Sequence, residues 1–147
     1  MGNDDIHNLF LRKPKDRNAE NASKLLFICH PNDFDDYFND ITDEILEKAT
    51  DNHISAVFFY INQEITFDFE EIKDILQNIQ LIVVPVTWEL LSTKNIFIDK
   101  IIPYALKKHI PVLPLLQDLD LTPKYTKHFG NIQFLYDNPN EIGRAHV

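Results

Sequence analysis

The sequence predicts one α/β domain, an open parallel sheet of five strands with helices on both faces. Short apolar runs suited to buried strands alternate along the chain with segments whose apolar residues recur at helical spacing. Regular alternation of strand and helix favours parallel pairing with right-handed crossovers. The chain has 147 residues, of which 44% are hydrophobic, and this is enough for one core without a disulfide or a metal ion.

The five predicted strands are nearly continuous apolar or β-branched runs, as expected where both faces of a strand are covered. In chain order they begin at Lys24, Ile54, Leu81, Ile110 and Ile132. Helices are predicted between them at Phe34–Ala49, Phe69–Ile79 and Pro103–Lys108. Right-handed crossovers then give the spatial order 2-1-3-4-5. Residues 1–23 mix both charge signs with asparagine, and we expect them to form a polar linker.

The charge and the cysteine usage exclude several classes of partner. The net charge of −9 repels nucleic-acid phosphates and anionic membrane surfaces, so neither is an expected partner. Cys29 is the only cysteine, which excludes an intramolecular disulfide. A reducing compartment, most simply the cytoplasm, is therefore the expected location.

Familiar catalytic and cofactor motifs are absent from the predicted strand ends. The 3 glycines all fall outside the strand-to-helix turns, so the chain has neither a dinucleotide-binding glycine loop nor a P-loop. The 6 histidines show no metal-ligand spacing with one another or with Cys29, and no metal site is expected. Cys29 and His30 are neighbours that would point to opposite faces of a strand, so we interpret Cys29 as a buried residue rather than a nucleophile.

Three acids follow the first predicted strand, as they do in phospho-receiver domains. A receiver also needs an aspartate at the end of its third strand, where this chain has Val86 and Thr87. We therefore interpret Asp33, Asp35 and Asp36 as the solvated first turn of a helix, where acids favour the helix dipole.

Taken in order, the predicted segments resemble the TIR domain (Toll/interleukin-1 receptor homology) in its bacterial form. The resemblance covers residues 24–140 and rests on KLLFICHPNDFDDYF, ISAVFFY, LQNIQLIVVPVT, IPYALKKHIPVLPLLQ and FGNIQFLY. It implies a flavodoxin-like parallel sheet whose closing helix is missing here. It also implies either signalling by self-association with other TIR domains or cleavage of NAD+ at the nicotinamide bond, with no other cofactor required.

The resemblance further implies a nucleotide pocket at the ends of the strands. Its expected lining comes from two strand ends, one loop and one helix start: Cys29, His30, Pro31, Thr87, the loop Ile61–Phe67 and Phe97. Phe97 stands in the bulky position of the family's catalytic segment, and the run I-P-x-A is matched by Ile102–Ala105.

Ile101 stands where the active family carries a glutamate. An isoleucine cannot stabilise the positive charge that develops on the ribose, so NAD+ cleavage is expected to be impaired and Ile101→Glu is the change predicted to restore it. Asp99 is a poor substitute because it lies about 200° around a helix from Ile101, whereas Glu89 is nearer the third strand. Alternatively, Ile98, Ile101, Ile102 and Ala105 form one apolar stripe that packs on the sheet.

Three functions remain open at this point: a non-catalytic TIR-type signalling domain, an NAD+ hydrolase with a displaced carboxylate, and a small-nucleotide-binding flavodoxin-like domain. The last seven residues, EIGRAHV at 141–147, are what a common sequencing-adapter string encodes codon for codon. We expect them to be a translated adapter, so Arg144 and His146 are given no functional role.

Overall fold

The computed structural model describes residues 9–12, 22–61, 69–136 and 145–146. Within these ranges the strands are β1 (Leu9–Arg12), β2 (Ser23–Phe27), β3 (Ala56–Ile61), β4 (Leu81–Val86), β5 (Val112–Leu116), β6 (Leu135–Tyr136) and β7 (Ala145–His146). The α-helices are α1 (Phe34–Asp51), α2 (Phe69–Leu76), α3 (Trp88–Ser92), α4 (Ile102–Lys107) and α5 (Thr122–Phe129). Two 3-10 helices, Pro31–Asp33 and Leu119–Leu121, and a π-helical turn, Phe97–Ile101, complete the described elements.

The strands form a single sheet in the order β1-β3-β2-β4-β5-β6-β7. Its five central strands, in the sheet order β3-β2-β4-β5-β6, pair in parallel throughout. Numbered along the chain among themselves, these five have the order 2-1-3-4-5. The predicted α/β class, the flavodoxin-like parallel sheet and its strand order are therefore confirmed.

Two antiparallel edge strands were not predicted. β1 pairs with β3 through Leu9 and Ile61, and β7 pairs with β6 through His146 and Leu135. β1 lies in the segment predicted to be a linker, and β7 lies in the segment EIGRAHV. Edge strands of two to four residues escape a periodicity analysis because they are too short to show alternation and are held by backbone hydrogen bonds.

The other boundaries follow the sequence pattern closely, but two helices were missed. β4 occupies its predicted range, and α1 begins at its predicted residue. The missed helices are α3 and α5, and α5 does carry helix signals. Tyr125 and Phe129 lie four residues apart, and Gly130 follows with a φ of 63°, a left-handed conformation that suits glycine at a helix end.

The sheet separates the core into two apolar clusters. On one face α2 to α5 pack against the sheet through residues such as Ile72, Leu90 and Phe129. On the other face Phe38, Ile41 and Leu46 of α1 pack against Phe27, Phe58 and Val83. In the described part of the chain, four helices thus cover one face and α1 alone covers the other.

A membrane span is not found in the described ranges, since none of their helices is long and apolar enough to cross a bilayer.

Candidate functional site

The candidate site lies where the carboxyl ends of β2 and β4 meet. These strands are neighbours in the sheet, but the connections that leave them lead to opposite sides, β2 toward β3 and β4 toward β5. Parallel α/β sheets bind ligands at such a switch point, beyond the carboxyl ends of the strands. Here the switch point is formed by the turn Pro31–Asp33 after β2 and by Thr87, which begins α3 after β4.

Asp33 and Thr87 are joined across the switch point by a buried hydrogen bond. The hydroxyl of Thr87 donates to Oδ2 of Asp33 over 2.6 Å, and each residue is only 7% exposed. The same hydroxyl oxygen accepts a hydrogen bond from the backbone N–H of Leu90 over 3.2 Å, which caps α3. Because Thr87 has one proton to donate, these two contacts fix its orientation.

Burial raises the pKa of Asp33 above its ordinary value, because removing the carboxylate from water disfavours its charged form. The hydrogen bond from Thr87 and the charge of His30 lower that pKa, while the charges of Glu89 and Asp36 raise it. Asp33 is therefore a carboxyl group whose neutral form is favoured by its surroundings. Such a group can exchange a proton with a bound ligand, which makes it a candidate functional residue.

His30 shapes the turn that carries Asp33. Its Nδ1 accepts a hydrogen bond from the backbone N–H of Asn32 over 3.1 Å, and its carbonyl accepts one from the backbone N–H of Asp33 over 2.8 Å. The side chain is partly exposed. Since Nδ1 is used in the cap, Nε2 is the ring nitrogen left for a ligand.

Cys29 is a core residue, as the sequence predicted. It is 0% exposed and belongs to the cluster beneath α1. Burial raises the pKa of its thiol to about 12, although a hydrogen bond with Tyr60 lowers it in part, and the charge of Asp33 adds to the rise. The thiol is thus protonated at neutral pH and contributes no surface to a ligand cleft.

Phe97 and Ile101 belong to the opposite cluster and are both 0% exposed. The structure therefore does not bring Cys29, His30, Thr87 and Phe97 into one cleft. His30 and Thr87 lie beside Asp33, whereas Cys29 and Phe97 pack on opposite faces of the sheet. The π-helical turn directs the side chains of Phe97 and Ile101 into the core. The alternative interpretation of this segment, one apolar stripe that packs on the sheet, is confirmed.

Asn95 holds the start of that π-helical turn in place. Its Oδ1 accepts a hydrogen bond from the backbone N–H of Ile98 over 2.9 Å, and its Nδ2 donates to the carbonyl of Leu90 over 3.0 Å. These contacts connect the end of α3 to the turn. They give hydrogen-bond partners to the carbonyl of Leu90 and the N–H of Ile98, which lie at the end of one helix and the start of the next.

The two alternative carboxylates named from the sequence lie in different places. Glu89 is half-buried, and its charge acts on Asp33 at the switch point. Asp99 is exposed, and its charge acts on His128 of α5 instead. Of the two, only Glu89 belongs to the candidate site.

Asp33 itself was misjudged from the sequence. Asp35 and Asp36 are exposed in the first turn of α1, as predicted, but Asp33 is buried and faces Thr87. A usable signal existed, because Asp33 follows β2 and Thr87 follows β4, and these strands were predicted to be neighbours. The loop Ile61–Phe67 lies outside the described residues from position 62 onward.

Two of the 6 histidines have backbone roles at helix ends. His53 and His109 follow α1 and α4 with φ values of 59° and 60°, the left-handed conformation that ends many helices. In each case the next residue's N–H donates back to the helix, Ile54 to Ala49 and Ile110 to Ala105. Over the described ranges, no three side chains of His, Cys, Asp or Glu are grouped as metal ligands.

No protein-family model, curated protein or solved structure matches this chain. The class of protein is defined by the fold and the switch point. It is a flavodoxin-like α/β domain with a buried Asp33–Thr87 pair at the edge where such sheets bind ligands. Membership of the TIR family stays a proposal that rests on the sequence resemblance.

Proposed function

We propose that this chain is a TIR-type signalling domain that acts by self-association and whose NAD+ cleavage is impaired. The resemblance over residues 24–140 supports the family, and the parallel sheet in the order 2-1-3-4-5 is compatible with it. The observation that carries the loss of cleavage is the burial of Ile101, which is 0% exposed in the core. A buried alkyl group offers a ribosyl cation neither charge nor contact.

The partners in this proposal are further TIR domains, with NAD+ or a related nucleotide as a ligand at the switch point. A cytoplasmic location accompanies the proposal, because the single Cys29 is free and buried.

A second candidate function is NAD+ hydrolysis by a displaced carboxylate. It is favoured by the position of Glu89, a half-buried acid close enough to Asp33 to raise its pKa at the switch point. Glycosidic bonds are commonly broken between two carboxyl groups, one neutral and one charged. Asp33 and Glu89 would be these two carboxyl groups. A nucleotide-binding domain without cleavage would use the same residues.

The test measures nicotinamide release from NAD+ by the purified chain, together with its sedimentation over a range of concentrations. We expect no release above the protein-free control and a weight-average mass that rises with concentration. Glu89→Gln and Asp33→Asn serve as site variants, and Asp99→Asn serves as a matched control at an exposed acid.

Robust release that Glu89→Gln abolishes and Asp99→Asn leaves intact would replace the signalling proposal by the hydrolase. NAD+ binding without release by a chain that stays monomeric, weakened by the site variants alone, would favour the nucleotide-binding domain. A chain that stays monomeric at every concentration would overturn self-association.

A further inference from the structure

A groove of about 320 Å³ lies beside α1, on the face of the sheet that α1 covers. Its apolar lining comes from α1, β5 and β6: Tyr37, Ile41, Ile45, Leu113, Leu115 and Leu135. Several of these side chains, including Leu113 and Leu135, are only partly buried. The groove thus presents an apolar floor between a helix and the neighbouring strands.

Acidic side chains line the α1 rim of this groove. Asp36, Asp40 and Glu44 are spaced four residues apart, so they lie in a row along one side of the helix. The row runs next to the apolar residues of α1 that line the groove, and Lys48 is the one basic residue among the described residues of the lining. The rim is therefore anionic over most of its length.

We propose that this groove binds an amphipathic helix that carries lysine or arginine beside a single apolar stripe. The apolar floor requires apolar side chains at helical spacing, and the acidic row favours cations on the flank that faces α1. From Asp36 to Lys48, α1 is about 18 Å long at 1.5 Å per residue, which a partner helix of three turns or more would match.

Two other occupants fit the groove less well. An anionic lipid surface would be repelled by the same acids that attract a basic helix. An extended peptide binds by adding to the edge of a sheet, whereas this groove lies over the face of β5 and β6.

The probe is a fluorescent helical peptide of about 18 residues, made of leucine in one stripe and lysine elsewhere. A matched peptide has glutamate in place of every lysine. Fluorescence anisotropy should show binding of the lysine peptide at low salt, weakened as salt is added, and no comparable binding of the glutamate peptide. Equal binding of the two peptides would overturn the proposal.

A charge reversal locates the binding site. The double variant Asp36→Lys with Asp40→Lys should weaken binding of the lysine peptide by about tenfold and improve binding of the glutamate peptide. The matched control, Asp35→Lys with Glu47→Lys, changes the same net charge on exposed residues of the same helix that do not line the groove. If this control shifts the preference equally, binding is non-specific attraction and the proposal fails.

A second copy of the chain is the remaining occupant. Sedimentation of Ile45→Glu, with circular dichroism to verify folding, distinguishes it. If the unaltered chain forms a dimer that Ile45→Glu dissociates and that the lysine peptide does not displace, the groove binds a second copy and the proposal is overturned. Displacement of such a dimer by the peptide supports it.

Discussion

The hydroxyl of Thr87 donates a 2.6 Å hydrogen bond to the carboxylate of Asp33, and this contact joins residues 54 positions apart in the chain. Asp33 follows β2, Thr87 follows β4, and the two strands are adjacent in the sheet. Both side chains are withdrawn from solvent. The contact therefore holds together the two strand ends that form the switch point.

Replacing Thr87 by valine keeps the shape of the side chain and removes its hydroxyl. Asp33 then loses its buried donor and α3 loses its cap, so we expect the free energy of unfolding to fall by about 2–4 kcal/mol. Urea unfolding measures this loss. Thr87→Ser, which retains the hydroxyl, should lose clearly less. Equal stability of the valine variant and the unaltered chain would mean that the hydrogen bond contributes nothing.

The raised pKa of Asp33 predicts a pH dependence of stability. The folded protein holds the Asp33 proton more tightly than the unfolded chain, in which the pKa of this carboxyl group has its ordinary value of 3.8. The stability that Asp33 contributes is therefore fully present below pH 3.8 and is lost as the pH rises through the pKa of the folded state. Asp33→Asn removes this titration.

The comparison needs urea unfolding of both proteins at a series of pH values. The free energy of unfolding of the unaltered chain, minus that of Asp33→Asn, should decrease with rising pH over this window. A difference that is constant or increases with pH would show that burial does not raise the pKa of Asp33.

Cys29 should be unreactive in the folded protein, because its thiol is buried and its pKa is raised to about 12. A disulfide reagent at neutral pH should label it only as fast as the protein opens, and at once in denaturant. The matched control combines Cys29→Ala with Ser92→Cys, which puts a thiol at an exposed position of α3. Rapid labelling of native Cys29 at the rate of that control would contradict its burial.

Substitutions of Phe97 distinguish a buried core residue from one that lines a ligand site. Its side chain is 0% exposed in the cluster beneath α2 to α5. Phe97→Ala should therefore cost about 3–5 kcal/mol of unfolding free energy, and Phe97→Leu should cost less because it leaves a smaller cavity. A residue that lined an open cleft would show little loss in either variant, and that outcome would restore the interpretation of Phe97 as a binding residue.

The sheet could be predicted from the sequence, but only part of the candidate site could. β4 could be predicted because six successive apolar residues meet the demands of a central parallel strand. The burial of Asp33 could not be predicted from its neighbours, since Asp35 and Asp36 have the same chemistry and are exposed. What distinguishes Asp33 is its hydrogen bond from Thr87, which follows a different strand. The predicted strand order brings the ends of these two strands together, but local periodicity does not record which of the three acids points inward.

The segment around Ile101 is a second case in which the sequence pattern alone does not decide where a side chain lies. Its residues fit both a family site and an apolar helical stripe, and only the packing decides between them. The sequence resemblance predicts that Ile101→Glu restores NAD+ cleavage. Because the segment is an apolar stripe in the core, a different effect is expected.

With Ile101 0% exposed among apolar neighbours, Ile101→Glu places a carboxyl group where the apolar cluster offers it no counter-charge. Burying such a group costs several kcal/mol, whether it ionises or stays protonated, so we expect a large fall in melting temperature and no nicotinamide release. Ile101→Met, which nearly conserves volume, should cost less than about 1.5 kcal/mol. Thermal unfolding and nicotinamide release, measured on both variants, test the two expectations together. If Ile101→Glu melted near the unaltered chain and released nicotinamide, position 101 would face a cleft, and its assignment to the core would be wrong.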